Sequence, residues 1–155
     1  MAITQDGWFN DTFIKVVRQQ ITIDVGSTTP GVFKGALWTG SVTPDFSQVS
    51  PAYGTAPWNS GETTGPGYTA GGSSLTVVSF AELAGAANKV GWRFSAVSWT
   101  SATIAADALL VYASSLSNRA FMLRWFGATY DSSDGTYTVT PDTTGLWRTV
   151  LRNAA

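Results

Sequence analysis

The chain has 155 residues, 44% of them hydrophobic, with seven Trp, five Tyr and eight Phe, which suits a single domain built on one apolar core. Only 12% of the residues are charged, half the usual share of about 25%, and nine basic against ten acidic residues leave a net charge of −1. No Lys/Arg stripe forms that could displace counterions from nucleic acid. With neither Cys nor His, disulfides, zinc centres and His-centred nucleophilic relays are excluded.

In chain order, Gly7 to Gln20 places Trp8 or Phe9, Phe13, Val16 and Val17 at helical spacing, with Asp6 positioned to cap the first turn and Arg18 near the last. This predicts one helix of about 12 residues. Ile21 to Asp24 alternates as a short strand does, the Gly26 to Gly31 segment reads as a turn, and a strand is expected over Val32 to Thr39. Gly40 to Ser74 is rich in Gly, Pro, Ser and Thr, and reads as a loop of unusual length. Further strands are expected over Leu75 to Phe80, Val90 to Phe94 and Ala96 to Trp99. Thr103 to Ala106 and Leu109 to Tyr112 form either a strand pair or one bent strand, and Arg119 to Phe126 another. Asp131 to Gly135 is expected to be a turn leading into the alternating Thr136 to Thr140, and Leu146 to Leu151 closes the chain. Residues 1–155 are therefore read as one mainly β domain, an antiparallel β-sandwich or jelly-roll-like barrel with one N-terminal helix. No internal repeat of propeller or solenoid period is present.

The chemistry left open by this composition is a carboxylate-only mechanism or a lysine nucleophile. A glycosidase pair needs two carboxyls set across a sugar cleft. Here Asp6, Asp24, Asp131, Asp134 and Asp142 fall at turns or caps, where bonding to nearby backbone accounts for them. The Asp131 to Gly135 segment lacks the spacing and terminal Glu of a calcium loop. Gly65 to Gly72 has no Lys and no following helix, so it reads as a glycine-permitted reversal rather than a phosphate cradle. No metal or cofactor is expected. The N-terminal residues have no basic segment followed by an apolar run, and no stretch approaches the ~18 apolar residues of a membrane span. Cytoplasmic synthesis and no membrane partner are expected.

Low charge makes aromatic residues the candidate contact points. Trp92, Trp99 and Trp125 fall in strand patterns and read as core. Trp8, Phe46, Tyr53, Trp58, Tyr68 and Trp147 are the candidate protein-interface residues, four of them in the long loop. The alternative for the loop rings is that they staple the loop to its own domain, as compact surface loops do.

The segment Gly67-Tyr68-Thr69-Ala70-Gly71-Gly72, followed two residues on by Leu75, resembles a turn-and-strand of a family of tailed-bacteriophage virion structural proteins. Other stretches agree with that family in the same order: Ile23-Asp24, Phe33 to Leu37, Val42 to Asp45, Val97 to Thr100, Ala102 to Ile104, Ala108 to Tyr112 and Gly135 to Val139. The resemblance spans about Phe13 to Leu151. It implies a structural part of the virion made in the host bacterial cytoplasm, with no enzymatic activity and no cofactor. A head decoration or cement protein is the favoured role, bound to the major capsid protein and other virion proteins as a homo-oligomer, by analogy a trimer. A minor tail or fibre protein, with Trp58, Tyr53 or Tyr68 as platforms for a host glycan, is the alternative. In the favoured role the Phe46 to Tyr68 loop and the Met1 to Gly7 arm make the contacts.

Overall fold

The computed structural model describes residues 3–84, 89–142, 145 and 147–150. The chain runs β1 (Gly7–Trp8), α1 (Asn10–Val17), β2 (Phe33–Trp38), β3 (Ser73–Leu75), β4 (Val77–Glu82), β5 (Lys89–Phe94), β6 (Val97–Ala113), a short 3-10 turn (Ser114–Leu116), β7 (Arg119–Val139) and β8 (Trp147–Val150). The strands form two antiparallel sheets, β1-β7-β6-β2-β3 and β4-β5-β8. A mainly β sandwich with one N-terminal helix is the fold the alternation of the sequence predicts.

Period-two alternation decides which core each side chain enters. Along β6, Ala106, Leu109 and Val111 face the smaller sheet and join Phe33, Leu37, Leu75, Val77, Trp92, Phe94 and Phe121 in the main core. Their neighbours Ala108 and Leu110 point the other way, into a second core with Ile3, Phe9, Trp38, Trp58 and Leu123. Among the described residues no third sheet covers that far face. The long loop does, with Val42 and Trp58 buried against it and Phe46 and Tyr53 packed alongside.

Two strands are much longer than the sequence indicates. The segments expected separately between Ala96 and Tyr112 form one continuous strand, β6 (Val97–Ala113), and Arg119 to Val139 forms another, β7, paired with it from Val97↔Val139 to Ala113↔Arg119. The expected turn at Asp131 to Gly135 is instead a bulge inside β7. Ala102 pairs with Gly135 and Ile104 with Ser132, so β7 carries an extra residue there, and Asp134 takes φ 48°. The Asp134 N–H donates to Thr103 Oγ1 (2.9 Å), and Ser132 Oγ donates to the Ala102 carbonyl (2.9 Å). These bonds hold the turn-forming residues in the ladder. A larger bulge lies nearer the hairpin end, where Asp107 of β6 faces Phe126 to Thr129 of β7. The hairpin itself turns at Ser117 and Asn118, both left-handed.

Other expectations need correction. The helix spans eight residues, not about 12, and its N-cap is Phe9, with no side-chain cap. Asp6 pairs with Arg124 instead. Of the expected inward face, Val16 packs on the main core and Phe13 meets Trp8 edge-on at 5.6 Å, but the helix residue that is fully buried is a polar one. Thr12 is buried and donates to the Ala120 carbonyl (2.8 Å), whereas Phe13, Ile14 and Val17 are 36%, 50% and 66% exposed. The cause is polar: Asp11 bonds Lys15 (2.9 Å), Arg119 (3.0 Å) and the Ser50 amide (3.0 Å), which fixes the helix orientation against β7 and the loop. Burial would raise the Asp11 carboxyl, but those partners outweigh it and hold it below its ordinary value. Ile21 to Asp24 is irregular rather than a strand; Ile23 packs on the main core, and Asp24 accepts the Gly26 N–H (2.9 Å). Leu75 to Phe80 divides at Thr76, with β3 in one sheet and β4 in the other. Leu146 and Leu151, the expected ends of the last strand, lie outside the described residues, as do Met1 and Ala2 of the arm.

Candidate functional site: an aromatic clasp and an open cleft on β7

Glu62 is one of only two acidic residues in the Gly40 to Ser74 loop, and the loop is organised around it. Its Oε2 accepts the Tyr53 hydroxyl (2.8 Å), and its Oε1 accepts the Tyr68 hydroxyl (2.8 Å) and the Gly71 N–H (2.6 Å). Tyr68 oxygen in turn accepts the Leu37 N–H of β2 (2.9 Å), and Tyr112 of β6 donates to the Gly71 carbonyl (2.8 Å). Tyr53 stacks on Tyr112 with ring centroids 4.7 Å apart. Beside this clasp the Thr63 N–H donates to the Leu37 carbonyl and the Thr39 N–H to the Gly61 carbonyl, so Gly61 to Thr63 prolongs the cover that β3 gives the edge of β2.

The glycines of the GYTAGG stretch are required by close approach. Gly72 has φ +68°, and a Cβ there would lie 1.8 Å from the Gly35 carbonyl oxygen of β2. Gly67 has φ +77° and would place a Cβ 2.6 Å from the Ser101 carbonyl oxygen of β6. Within the clasp Glu62 thus ties the loop to itself, and Tyr68 and Tyr112 tie it to the sheet.

Its electrostatics agree. Burial first, then the Glu62 carboxylate, pushes the Tyr53 hydroxyl well above its ordinary value. Burial raises Tyr68 likewise, with the Leu37 amide opposing and Glu62 adding to the rise. Tyr112 is pushed up to about 12 by burial and by Glu62. All three are protonated donors at neutral pH, and Glu62 accepts from three groups. This arrangement joins and orients, and it presents neither a free base nor an exposed nucleophile.

The six candidate interface residues are dispersed over both cores. Trp8 is buried between the sheets against Trp92 (4.7 Å) and meets half-buried Trp147 (5.7 Å). Trp58 is buried on Trp38 (5.2 Å) and Phe9 (5.8 Å), and Phe46 lies on the other side of Phe9 (5.4 Å). Tyr68 leans on Trp99 (5.9 Å). Trp8 and Trp58 therefore offer no ring face to a partner in this fold. Phe46, Tyr53, Tyr68 and Trp147 are half-buried, and the loop rings pack the loop onto its own domain.

The surface feature that sequence reasoning missed is a cleft of about 380 Å³ formed where β7 curls, with Arg124, Phe126, Tyr130, Asp131, Thr136 and Asp142 among its walls. The bulge opposite Asp107 bends the strand into this concavity, and Thr129 Oγ1 donates to the buried Asp107 carboxylate (2.7 Å) to hold it. Tyr130 is 56% exposed and meets Phe126 edge-on at 6.4 Å. Tyr137, at the cleft floor, is pushed up to about 12 by burial, with the Asp107 carboxylate, Tyr130 and Asp131 adding to the rise. The signal in the sequence was Tyr130 itself, a large ring flanked by Ala128, Thr129 and the Asp131 to Gly135 polar run. Among the described residues, no three acidic side chains converge as metal ligands do, and no helix is long and apolar enough to cross a membrane. Comparison of the chain with protein-family models, with curated proteins and with solved structures finds no match.

Proposed function

We propose that this chain is a non-catalytic structural component of a tailed-bacteriophage virion, set on the head as a decoration protein in contact with the major capsid protein and with other copies of itself. The observation that carries the reading is the GYTAGG stretch at the centre of the family resemblance. Its tyrosine and glycines hold a loop layer onto a sheet, the use a structural protein makes of such residues, and none of them is free for chemistry. Two physical features support it further. Only 12% of the residues are charged, which suits a surface partly covered by neighbours. The exposed Ile14 and Val17 on α1, beside a Phe13 that packs edge-on against Trp8, supply an apolar contact face, in place of the buried Trp8 and Trp58. Repetition of that contact over a lattice lets modest contacts accumulate avidity.

Deleting the gene and imaging the resulting particles tests the reading. Loss of regularly spaced density from the head surface is the expected result, and heads with unchanged surface density would refute a decoration role. A tail or fibre position is the second reading. The β7 cleft favours it, because an open pocket is of more use on a surface that meets a host than on one that meets only a capsid.

A further inference from the structure

We infer that copies of this chain associate head to tail, the outer face of the β4-β5-β8 sheet of one copy resting on the outer face of the β6–β7 arm of the next. The inference rests on that part of the proposed function in which copies meet one another, and it names the two faces and the charges that join them.

Period-two alternation sets both faces. In the smaller sheet Phe80, Trp92 and Trp147 turn to the main core, so Ser79, Lys89, Gly91 and Arg93 turn outward. Ser79 pairs with Arg93 and Ala81 with Gly91, and the register sets Arg148 of β8 opposite Gly91. Small residues thus keep the face flat between its cations. Lys89 and Arg93 are half-buried, and neither makes an ion pair or a side-chain hydrogen bond among the described residues. Glu82, the one acidic residue of these strands, alternates with Ala81 and so belongs to the other face.

The arm, in which Val97 to Ala106 pairs with Tyr130 to Val139, has the opposite character. Trp99, Ile104, Tyr137 and Val139 face the main core, which leaves Ser98, Ala105, Asp131, Thr136 and Thr138 exposed on the outside. The Ser98 and Thr138 hydroxyls bond across the strands (2.8 Å). The bulge brings exposed Asp134 beside Thr103 of the same face, whose Oγ1 accepts its N–H (2.9 Å). Neither Asp131 nor Asp134 has an ion pair among the described residues, and no Lys or Arg stands in either stretch of the arm.

The two faces lie on opposite sides of the sandwich, so each copy offers both at once. Their pairing is heterologous and either closes into a ring or runs on as a chain. Charges unpaired within one copy then meet opposite charges on the next, Lys89 and Arg93 against Asp131 and Asp134. That complementarity fixes the orientation and rejects the pairing of two basic or two acidic faces. Neither face includes α1, which stays available to the capsid.

Sedimentation velocity on the isolated, intact chain tests this, at concentrations up to about 1 mM, the weak end of specific association. In about 20 mM salt the average mass should rise with concentration, and about 500 mM salt should return it to the monomer. Lys89→Glu with Arg93→Glu, and separately Asp131→Lys with Asp134→Lys, should each weaken association by about tenfold or more, with little change in thermal unfolding. Mixing the two variants should restore it, because each then offers the charge the other's face requires. Should the change at Asp134, with its left-handed φ of 48°, disturb the fold, Asp131→Lys alone takes its place. A chain that stays monomeric throughout, association indifferent to salt and to both variants, or a mixture that fails to restore it would overturn the inference. Such a result strikes the pairing of these faces, whereas heads of unchanged surface density strike the decoration role.

Discussion

Gly72 and the tyrosines around Glu62 show how single residues fix this molecule. A methyl group at position 72 would meet the Gly35 carbonyl at 1.8 Å, on backbone that side-chain rotation cannot relieve. Gly72→Ala should therefore cost about 2–4 kcal/mol in denaturant unfolding, well beyond an ordinary surface substitution. The tyrosines set a pH limit. Tyr53, Tyr68, Tyr112 and Tyr137 all have folded values above the ordinary 10.0, with Tyr112 and Tyr137 at about 12. A group whose value rises on folding stabilises fully below its unfolded value and loses that contribution as pH climbs through the folded one. The fold should thus weaken between pH 10 and about 12. In a spectrophotometric titration, phenolate absorbance from these four should appear late and together with unfolding. Reversible ionisation of all four near pH 10 in a folded chain would contradict the clasp. Indole N–H groups tell a related story: Trp92 donates to the Val25 carbonyl (2.8 Å), whereas the buried N–H groups of Trp8, Trp38, Trp58 and Trp125 have no partner among the described residues. Their value to the fold is apolar area and ring contact.

Among the elements, the loop that serves as a third layer and the β6–β7 arms carry the architecture. Trp58 lies wholly within the second core, so Trp58→Ala should cost about 3–5 kcal/mol in the isolated chain. A loss below about 0.5 kcal/mol would mean that the loop is held by a partner instead. Sequence alone made strands such as Phe33–Trp38 legible, because apolar residues there meet β-propensity and a bounding turn. The continuity of β6 and β7 was not legible. Ser101 and Asp134 take left-handed φ inside the ladder, and residues that favour such angles are the ones that mark turns in a sequence. Alternation also could not assign Leu75 to Phe80 to two sheets, since a change of partner at Thr76 leaves no mark on the pattern. The helix face was only partly legible, Val16 packing on the core as expected, because Thr12 and Asp11 find buried or ionic partners more than 100 positions away, in Ala120 and Arg119. The clasp depended on contacts of that kind too: the GYTAGG stretch was visible, but nothing local joined Tyr68 to Glu62 and Leu37. The cleft was hidden because it exists only once the bulges bend β7.

As a whole the molecule has a low share of charged residues, exposed apolar side chains on α1 and an open cleft on β7. The outer edge of β7 is paired by β1 at Met122 and Leu123 and by Pro51 to Tyr53 near Arg119. Farther along, bulges and the acidic Asp131 and Asp134 blunt it against sheet-to-sheet aggregation. That leaves the helix side as the contact face in the proposed role. Ile14→Asp with Val17→Asp should leave stability within about 1 kcal/mol, since both side chains are half or more exposed, yet prevent incorporation into particles. The most direct test of the central claim is a density map of intact, purified virions from the phage that encodes the chain. The account predicts this two-sheet domain in repeated copies on the head surface, with α1 turned toward a neighbouring subunit. Particles that contain no copy of the chain would contradict it.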